Sequence, residues 1–272
     1  VVYSVAHDLD KSIERNYHKK EPTEEENDKK APQNVITDPD NRYEQNIISG
    51  KSGYLQVLDI DRLYEIADEH DLFIKTIPRP GEFITKGEPL TFVFSDEQTS
   101  EMIISKIRSA FILGKKKTLE QDVKYGIEQL TEIAVRALSP GINDPYTAMA
   151  CIDRIREALI KLSEYELSRK KVKRKKEKAI LVVNLVDFEE LTEAAFDPIR
   201  QYGSNDIQVS VKLLKSIRDI VRRTTKQRQI RILTEHAEKI HASCLYIMHN
   251  EKDRQQITSI MEEINKEPGI KN

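Results

Sequence analysis

Side chains able to grip a ligand or move a proton gather in two short stretches. The first lies within Gln121–Arg156 and carries Gln121, Asp122, Arg136, Ser139, Asn143, Asp144 and Thr147. The second carries Asp197, Arg200, Gln201 and Tyr202, with Asn205 close behind. Carboxylates, hydroxyls and guanidinium groups beside a helix start have the chemistry of a small-anion site. Free amides there point outward, and an arginine fork adds fixed positive charge. The same residue types also cap one another and set the angle between two core helices. From the sequence both readings stand. The candidate ligand set is Arg136, Ser139, Asn143, Asp144, Thr147, Asp197, Arg200 and Tyr202, lining one pocket for a small anion or metal ion. Arg136 and Arg200 would be its charge partners.

Catalytic patterns are a poorer fit. The chain has no GxSxG elbow, no phosphate-cradling glycine loop and no HExxH. His236 and His241 are five apart, which is not a one-face metal pair, and no CxxC occurs. The sequence therefore assigns no catalytic residue, no metal ligand and no cofactor. An enzyme working at the Ser139–Thr147 junction is the alternative to a sensing or assembly role.

Helices must position these groups. Val123, Ile127, Leu130, Ile133, Ala134 and Leu138 recur at helical spacing, so one apolar stripe runs up to the junction. Pro140 ends that helix, and Gly141 supplies a permissive backbone. Asn143 or Asp144 caps the next helix and Pro145 suits its first position. That helix extends to about Leu167, with Tyr146, Met149, Cys151, Ile152, Ile155 and Leu159 along it. Further on, Phe188–Tyr202 reads as a helix interrupted by Pro198. Helices also span Asp206–Arg223, Gln227–His249 and Arg254–Lys266. Val1–His18 reads as the end of a longer helix with Val2, Val5, Leu9 and Ile13 on one face.

Between Glu44 and Phe94 the pattern turns to strands. Ile47-Ile48 and Tyr54–Leu58 are separated by a turn at Gly50 and Gly53. Ile60–Glu69 is a short helix capped by Asp59 or Asp61, and Leu72–Ile77, Phe83-Ile84 and Leu90–Phe94 complete the strands. The run PGEFITKGEPL resembles the hairpins of lipoyl- and biotinyl-type carrier barrels. Lys86 sits in a turn, but Thr85 and Gly87 do not match a carrier lysine's neighbours, so a small rigid barrel without cofactor is expected. Ser95 to about Leu113 is predicted as one helix stopped by Gly114. Arg169–Lys176, with seven positive charges in eight residues, is predicted as an exposed loop before a strand from Ala179 to Leu185.

The 272 residues carry 44 Lys and Arg against 46 Asp and Glu, a net charge of −2, which argues against a general nucleic-acid binder. No apolar run of about 18 residues occurs, so nothing in the chain reads as a bilayer span. Cys151 and Cys244 lie among apolar helical residues and read as free buried thiols in a reducing compartment.

The phrase AVRALSPGINDPYTA, preceded by QDVKYGIEQL and followed by CIDRI, resembles the motif of the domain of unknown function 2254 family of bacterial predicted integral membrane proteins. Ser52–Leu90 and Ala195–Val209 resemble it too, so the likeness covers most of Gly50 to Val221. The resemblance implies transmembrane helices N-terminal to the matching region. With Val1 in place of Met, the expectation is a portion of a longer membrane protein whose membrane helices are missing here. The family's biochemical activity is not established.

The resulting expectation is an α+β chain, a predominantly helical domain with a small barrel-like β-rich unit. Residues 1–43 would be a juxtamembrane helix and polar linker, 44–95 the β-rich unit, and 96–272 the helical domain with one or more added strands. Function is expected to be that of a cytoplasmic assembly or regulatory domain of a cell-membrane protein, gating a channel or transporter. Its partners would be further copies of itself and the membrane, and no nucleic acid.

Overall fold

A computed structural model describes residues 1–17, 43–175, 178–267 and 269–270. The expected polar linker, Lys19–Tyr43, falls outside the described residues except for Tyr43. In chain order the elements are α1 (Val2–Asn16), β1 (Tyr43–Ile48), β2 (Gly53–Leu58), α2 (Ile60–Glu69), β3 (Phe73–Thr76), β4 (Phe83–Ile84) and β5 (Pro89–Ser95). Then come α3 (Glu101–Ser109), β6 (Phe111–Gly114), α4 (Val123–Ala137), α5 (Pro145–Ser163), β7 (Lys170–Lys175) and β8 (Lys178–Asn184). The chain closes with α6 (Phe188–Gly203), α7 (Ile207–Val221), α8 (Gln227–Ile247) and α9 (Glu251–Asn265). The class is α+β, as the sequence indicates.

Two compact units form. The helical unit comprises Val1–Tyr17, Val123–Leu167 and Val186–Asn272. The sheet unit comprises His18–Asp122 and Ser168–Leu185. Contacts thus divide the chain after Asp122, and a later hairpin, β7–β8, returns to the sheets.

The helical unit is built on the stripes seen in sequence. Ile127, Leu130, Ala134, Ile152, Ile155, Leu159, Leu191, Phe196, Ile217 and Leu233 sit in one buried cluster. Burying such a side chain stabilises by about 1.5–3 kcal/mol. Start signals are met by side chains: Asp187 accepts from the Glu190 amide, Asp206 from Gln208 and Val209, and Asn250 from Lys252 and Asp253. α1 buries Leu9, Ser12 and Ile13 in the same unit. Cys151 and Cys244 are free and buried.

In the sheet unit the strands form two open sheets, and no closed barrel is present among the described residues. One has the order β1-β5-β3-β8-β7, the other β4-β2-β6. Leu55, Leu58, Leu63, Ile66, Ile74, Val93, Ile107, Phe111 and Leu181 share a core between them, with α2 and α3 contributing. β3 and β8 pair in parallel, Ile74 beside Leu181, although they lie a hundred residues apart in the chain.

β1 and β2 follow one another across the expected turn, but they do not pair: β1 pairs with β5, and β2 with β4 and β6. Two local expectations are corrected. The helix predicted from Ser95 to Leu113 covers only Glu101–Ser109, and Phe111–Gly114 is strand β6. Its first three residues alternate buried, exposed, buried, the period of a strand and not of a helix. There a Cβ on Gly53 would lie 2.8 Å from the Gly114 carbonyl oxygen, so β2 and β6 approach closely only because glycine stands there. The basic run predicted as a loop is edge strand β7, Val172 opposite Val182. Apolar β8 needs a neighbour for its backbone, and a lysine-rich edge is compatible with that role. Lys173 pairs with Asp61 and lies 5.0 Å from the Tyr64 ring centre, and Lys175 pairs with Asp68 at 2.6 Å, which relieves the repulsion.

Candidate functional site

The turn between α4 and α5 is tied together by its own backbone. The Ser139 carbonyl accepts from Ile142 at 3.0 Å and from Asn143 at 2.9 Å, and the Asp144 amide donates to the Ala137 carbonyl at 2.8 Å. Asn143 has φ 50°, the left-handed conformation that asparagine tolerates better than most residues. Asp144 then turns its carboxylate onto the first turn of α5. It accepts from the Thr147 amide at 3.1 Å and from the Thr147 hydroxyl at 2.5 Å. The hydroxyl, followed by the amides of Thr147 and Tyr146, holds this carboxyl below the usual carboxylate range. The chain's own anion thus occupies the helix start where a bound anion would sit. Arg136 points to solvent and pairs with Glu132 on its own helix at 2.5 Å.

The second stretch closes on α8. Arg200 donates to the Ser243 hydroxyl at 3.1 Å, and its Nε lies 3.5 Å from Asp197 Oδ1. The same carboxylate oxygen lies 3.7 Å from His236 Nδ1 and, though buried, accepts no hydrogen bond. His236 is 3 % exposed and packs with its ring centre 5.6 Å from that of Phe196. Burial pushes its pKa down to about 4, which the Asp197 carboxylate only partly opposes. The imidazole is therefore neutral near pH 7. Tyr202 is exposed.

Of the eight predicted residues, Asp144 and Thr147 meet each other, as do Asp197 and Arg200. Ser139 and Asn143 shape the turn by their backbone. Arg136 and Arg200 have separate partners, Glu132 for the first and Asp197 with Ser243 for the second. The two stretches nevertheless share one end of the helical unit: a Cβ on Gly203 would lie 3.3 Å from Leu138 Cδ1. Sequence reasoning passed over His236 and Ser243 as partners of α6. Their spacing marks one face of α8 but does not say which helix that face meets.

A separate cleft of about 400 Å³ opens between α4 and α6, lined among others by Glu128, Thr131, Val135, Glu193 and Pro198. Thr131 is buried, and its hydroxyl has no hydrogen-bond partner. No group of three or more His, Cys, Asp or Glu able to hold a metal ion occurs among the described residues.

An α+β chain with a tightly capped helix pair and a second polar cluster at the same end of its bundle is thus defined. Comparison with known proteins supplies the family. The family model described as Predicted membrane protein (DUF2254) matches residues 1–219, and the chain belongs to this family. Uncharacterized proteins of Mycobacterium tuberculosis and Mycobacterium bovis are each 26% identical to it over 205 residues. That span is 71% of this chain and 39% of theirs, so the chain spans about two fifths of the length of the curated relatives it matches. No solved structure matches. Among the described residues no helix is long and apolar enough to cross a membrane.

Proposed function

We propose that this chain is the water-facing, cytoplasmic part of a bacterial integral membrane protein, and that it assembles copies of that protein and regulates their membrane part. The observation that carries this reading is how α1 is held. Leu9 and Ile13 are sunk in the helical core, Asp10 pairs with Lys161, and the Tyr3 ring lies 4.9 Å from the Arg154 guanidinium carbon. α1 packs against both α4 and α5, so a displacement of α1 is delivered to the pair, whose mutual angle the Ser139–Thr147 turn fixes. The junction acts as a stiff joint between two core helices, which suits gating or the transmission of a signal. The family description supports placement in a membrane protein. Identical copies in a closed ring are the common route to such assembly.

The test is light scattering on this chain, together with ion or solute flux through the full-length protein in vesicles. We expect an oligomer without added ligand. We also expect Pro140→Gly plus Pro145→Ala, which slacken the joint, to alter flux without changing assembly. A monomer at all concentrations would refute the assembly role, and flux unchanged by the slackened joint would refute the coupling.

A further inference from the structure

Exposed apolar side chains are distributed unevenly over the helical unit. Its large exposed hydrophobic residues, among those described, are Val1, Tyr3, Ile142, Tyr146, Tyr202, Tyr246 and Ile247. Ile142 and Tyr146 flank the start of α5. Tyr202 lies in the last turn of α6, and Tyr246 and Ile247 end α8. These termini meet at one end of the bundle. Leu138 approaches Gly203, Arg200 donates to Ser243, and Ser210 at the start of α7 donates to the Gly203 carbonyl at 3.3 Å. Arg254 at the start of α9 donates to the Met248 carbonyl at 3.1 Å, bringing that helix to the same place.

The opposite end has a different character. There Lys226 donates to the Ser163 carbonyl at 2.6 Å, Arg222 pairs with Glu267 at 2.6 Å, and Tyr17 stacks by Tyr165 with ring centres 5.5 Å apart. None of the unit's exposed large hydrophobic residues is found there.

The direction of α1 agrees with this polarity. Tyr3 lies by Arg154, Asp10 by Lys161 and Tyr17 by Tyr165, so α1 runs beside α5 in the same sense. Its N-terminus, carrying exposed Val1 and Tyr3, therefore faces the apolar end. Tyr3 lies level with Arg154, nine residues past the start of α5.

We infer that Ile142, Tyr146, Tyr202, Tyr246 and Ile247 form a surface that rests in the headgroup layer of a lipid bilayer, so that the helical unit stands on the membrane by this end. The inference rests on the proposed placement in a membrane protein and adds the face and the partner to it. Tyrosine is the side chain favoured at that depth, because its ring enters the apolar boundary while its hydroxyl stays among headgroups and water. Three tyrosines among five residues, on helix ends, have this composition. Charge at the same end is mixed: Asp206, Glu251 and Asp253 accompany His249, Lys252 and Arg254. Attraction to anionic lipid is therefore not what seats the surface, and zwitterionic lipid suffices.

The chain contains no tryptophan, so single Trp substitutions report their own surroundings. Tyr146→Trp, Tyr246→Trp and, at the opposite end, Glu166→Trp are anchored through an N-terminal His tag to phosphatidylcholine vesicles bearing nickel-chelating lipid. Acyl chains brominated near the headgroup quench a tryptophan that reaches them. We expect a blue shift and loss of emission at positions 146 and 246, unchanged by high salt, and neither effect at 166. Should either variant misfold by circular dichroism, Tyr202→Trp takes its place at the same end.

Emission unaffected by brominated lipid at the apolar end overturns the inference, as does equal quenching at 166. A blue shift that needs no lipid and grows with protein concentration also overturns it, and assigns the surface to a second copy. None of these results touches the membrane placement itself. That is read separately, from fractionation of the full-length protein, which remains membrane-bound whichever face of this unit meets the lipid.

Discussion

The α4–α5 junction and the α6–α8 cluster draw on the same side-chain types, yet they settle them in opposite ways. At the junction every interaction is local: Asp144 with Thr147, Arg136 with Glu132, the Ser139 carbonyl with the next turn. In the cluster Asp197 and Arg200 of α6 meet His236 and Ser243 of α8, dozens of residues on, and Asp197 Oδ1 is buried beside Arg200 and the neutral His236 but accepts no hydrogen bond. Local groups can be satisfied at a surface without tertiary help. Distant groups that meet in a core inherit its low dielectric, which shifts their protonation and raises the cost of every unmade bond. The junction is thus a mechanical feature and the cluster an electrostatic one, and perturbing each should produce different effects.

The largest contrast is in pH dependence. With a folded-state pKa of about 4 against an ordinary 6.5, His236 takes up its proton in the unfolded chain first as the pH drops. Its contribution to stability is complete above about pH 6.5 and is lost as the pH falls toward 4, a change of up to roughly 3 kcal/mol. Urea melts across that range should show the loss, and His236→Leu should flatten it. A slope that survives the substitution would show that the cluster is not its source.

Next in size is the seam between the two regions. On Gly203 a methyl would sit 2.8 Å from Val209 Cγ1, a stiff β-branched side chain. Overpacking costs about 1–3 kcal/mol and outweighs the gain of up to about 1 kcal/mol from alanine in a helix. Gly203→Ala should therefore lower the denaturation midpoint, and relief by a second change, Val209→Ala, would confirm the cause.

Asp144→Ala removes the cap and should lower the melting temperature by roughly 2–4 °C, a difference that narrows in strong acid as the wild-type carboxylate takes up its proton. The smallest effect belongs to Arg136→Ala. Its exposed pair with Glu132 should contribute less than about 0.5 kcal/mol, and none in high salt.

The same division explains what could be read from the sequence. Helix stripes, the Pro140 stop, the Asp144 cap and Pro145 at the first helical position are short-range signals, and α4 and α5 stand close to where those signals put them. The start of α7 was legible for the same reason: the helix is predicted from Asp206, the residue that turns out to cap it. Beyond reach were pairings between distant segments: β8 beside β3, β1 beside β5, α8 against α6. Phe111–Gly114 illustrates the limit. Four residues continuing an apolar helical stripe become a strand because β2 offers a partner and Gly53 permits the approach. Likewise Lys170–Lys175 looks like a solvated loop until β8 needs an edge neighbour. The candidate ligand set mixed both kinds: the capping pair follows from spacing, while the partners of Arg200 depend on the tertiary fold.

The central claim is that this chain forms the cytoplasmic face of a membrane protein, and orientation tests it most directly. Glu166→Cys places a reactive thiol on an exposed position of the helical unit, while Cys151 and Cys244 are buried. The full-length protein carrying it, in a bacterial host, is treated with a membrane-impermeant maleimide in vesicles of both orientations. The account predicts that the protein sediments with membranes and is labelled in inside-out vesicles alone. Labelling in right-side-out vesicles, or recovery of the unlabelled protein in the soluble fraction, would contradict it.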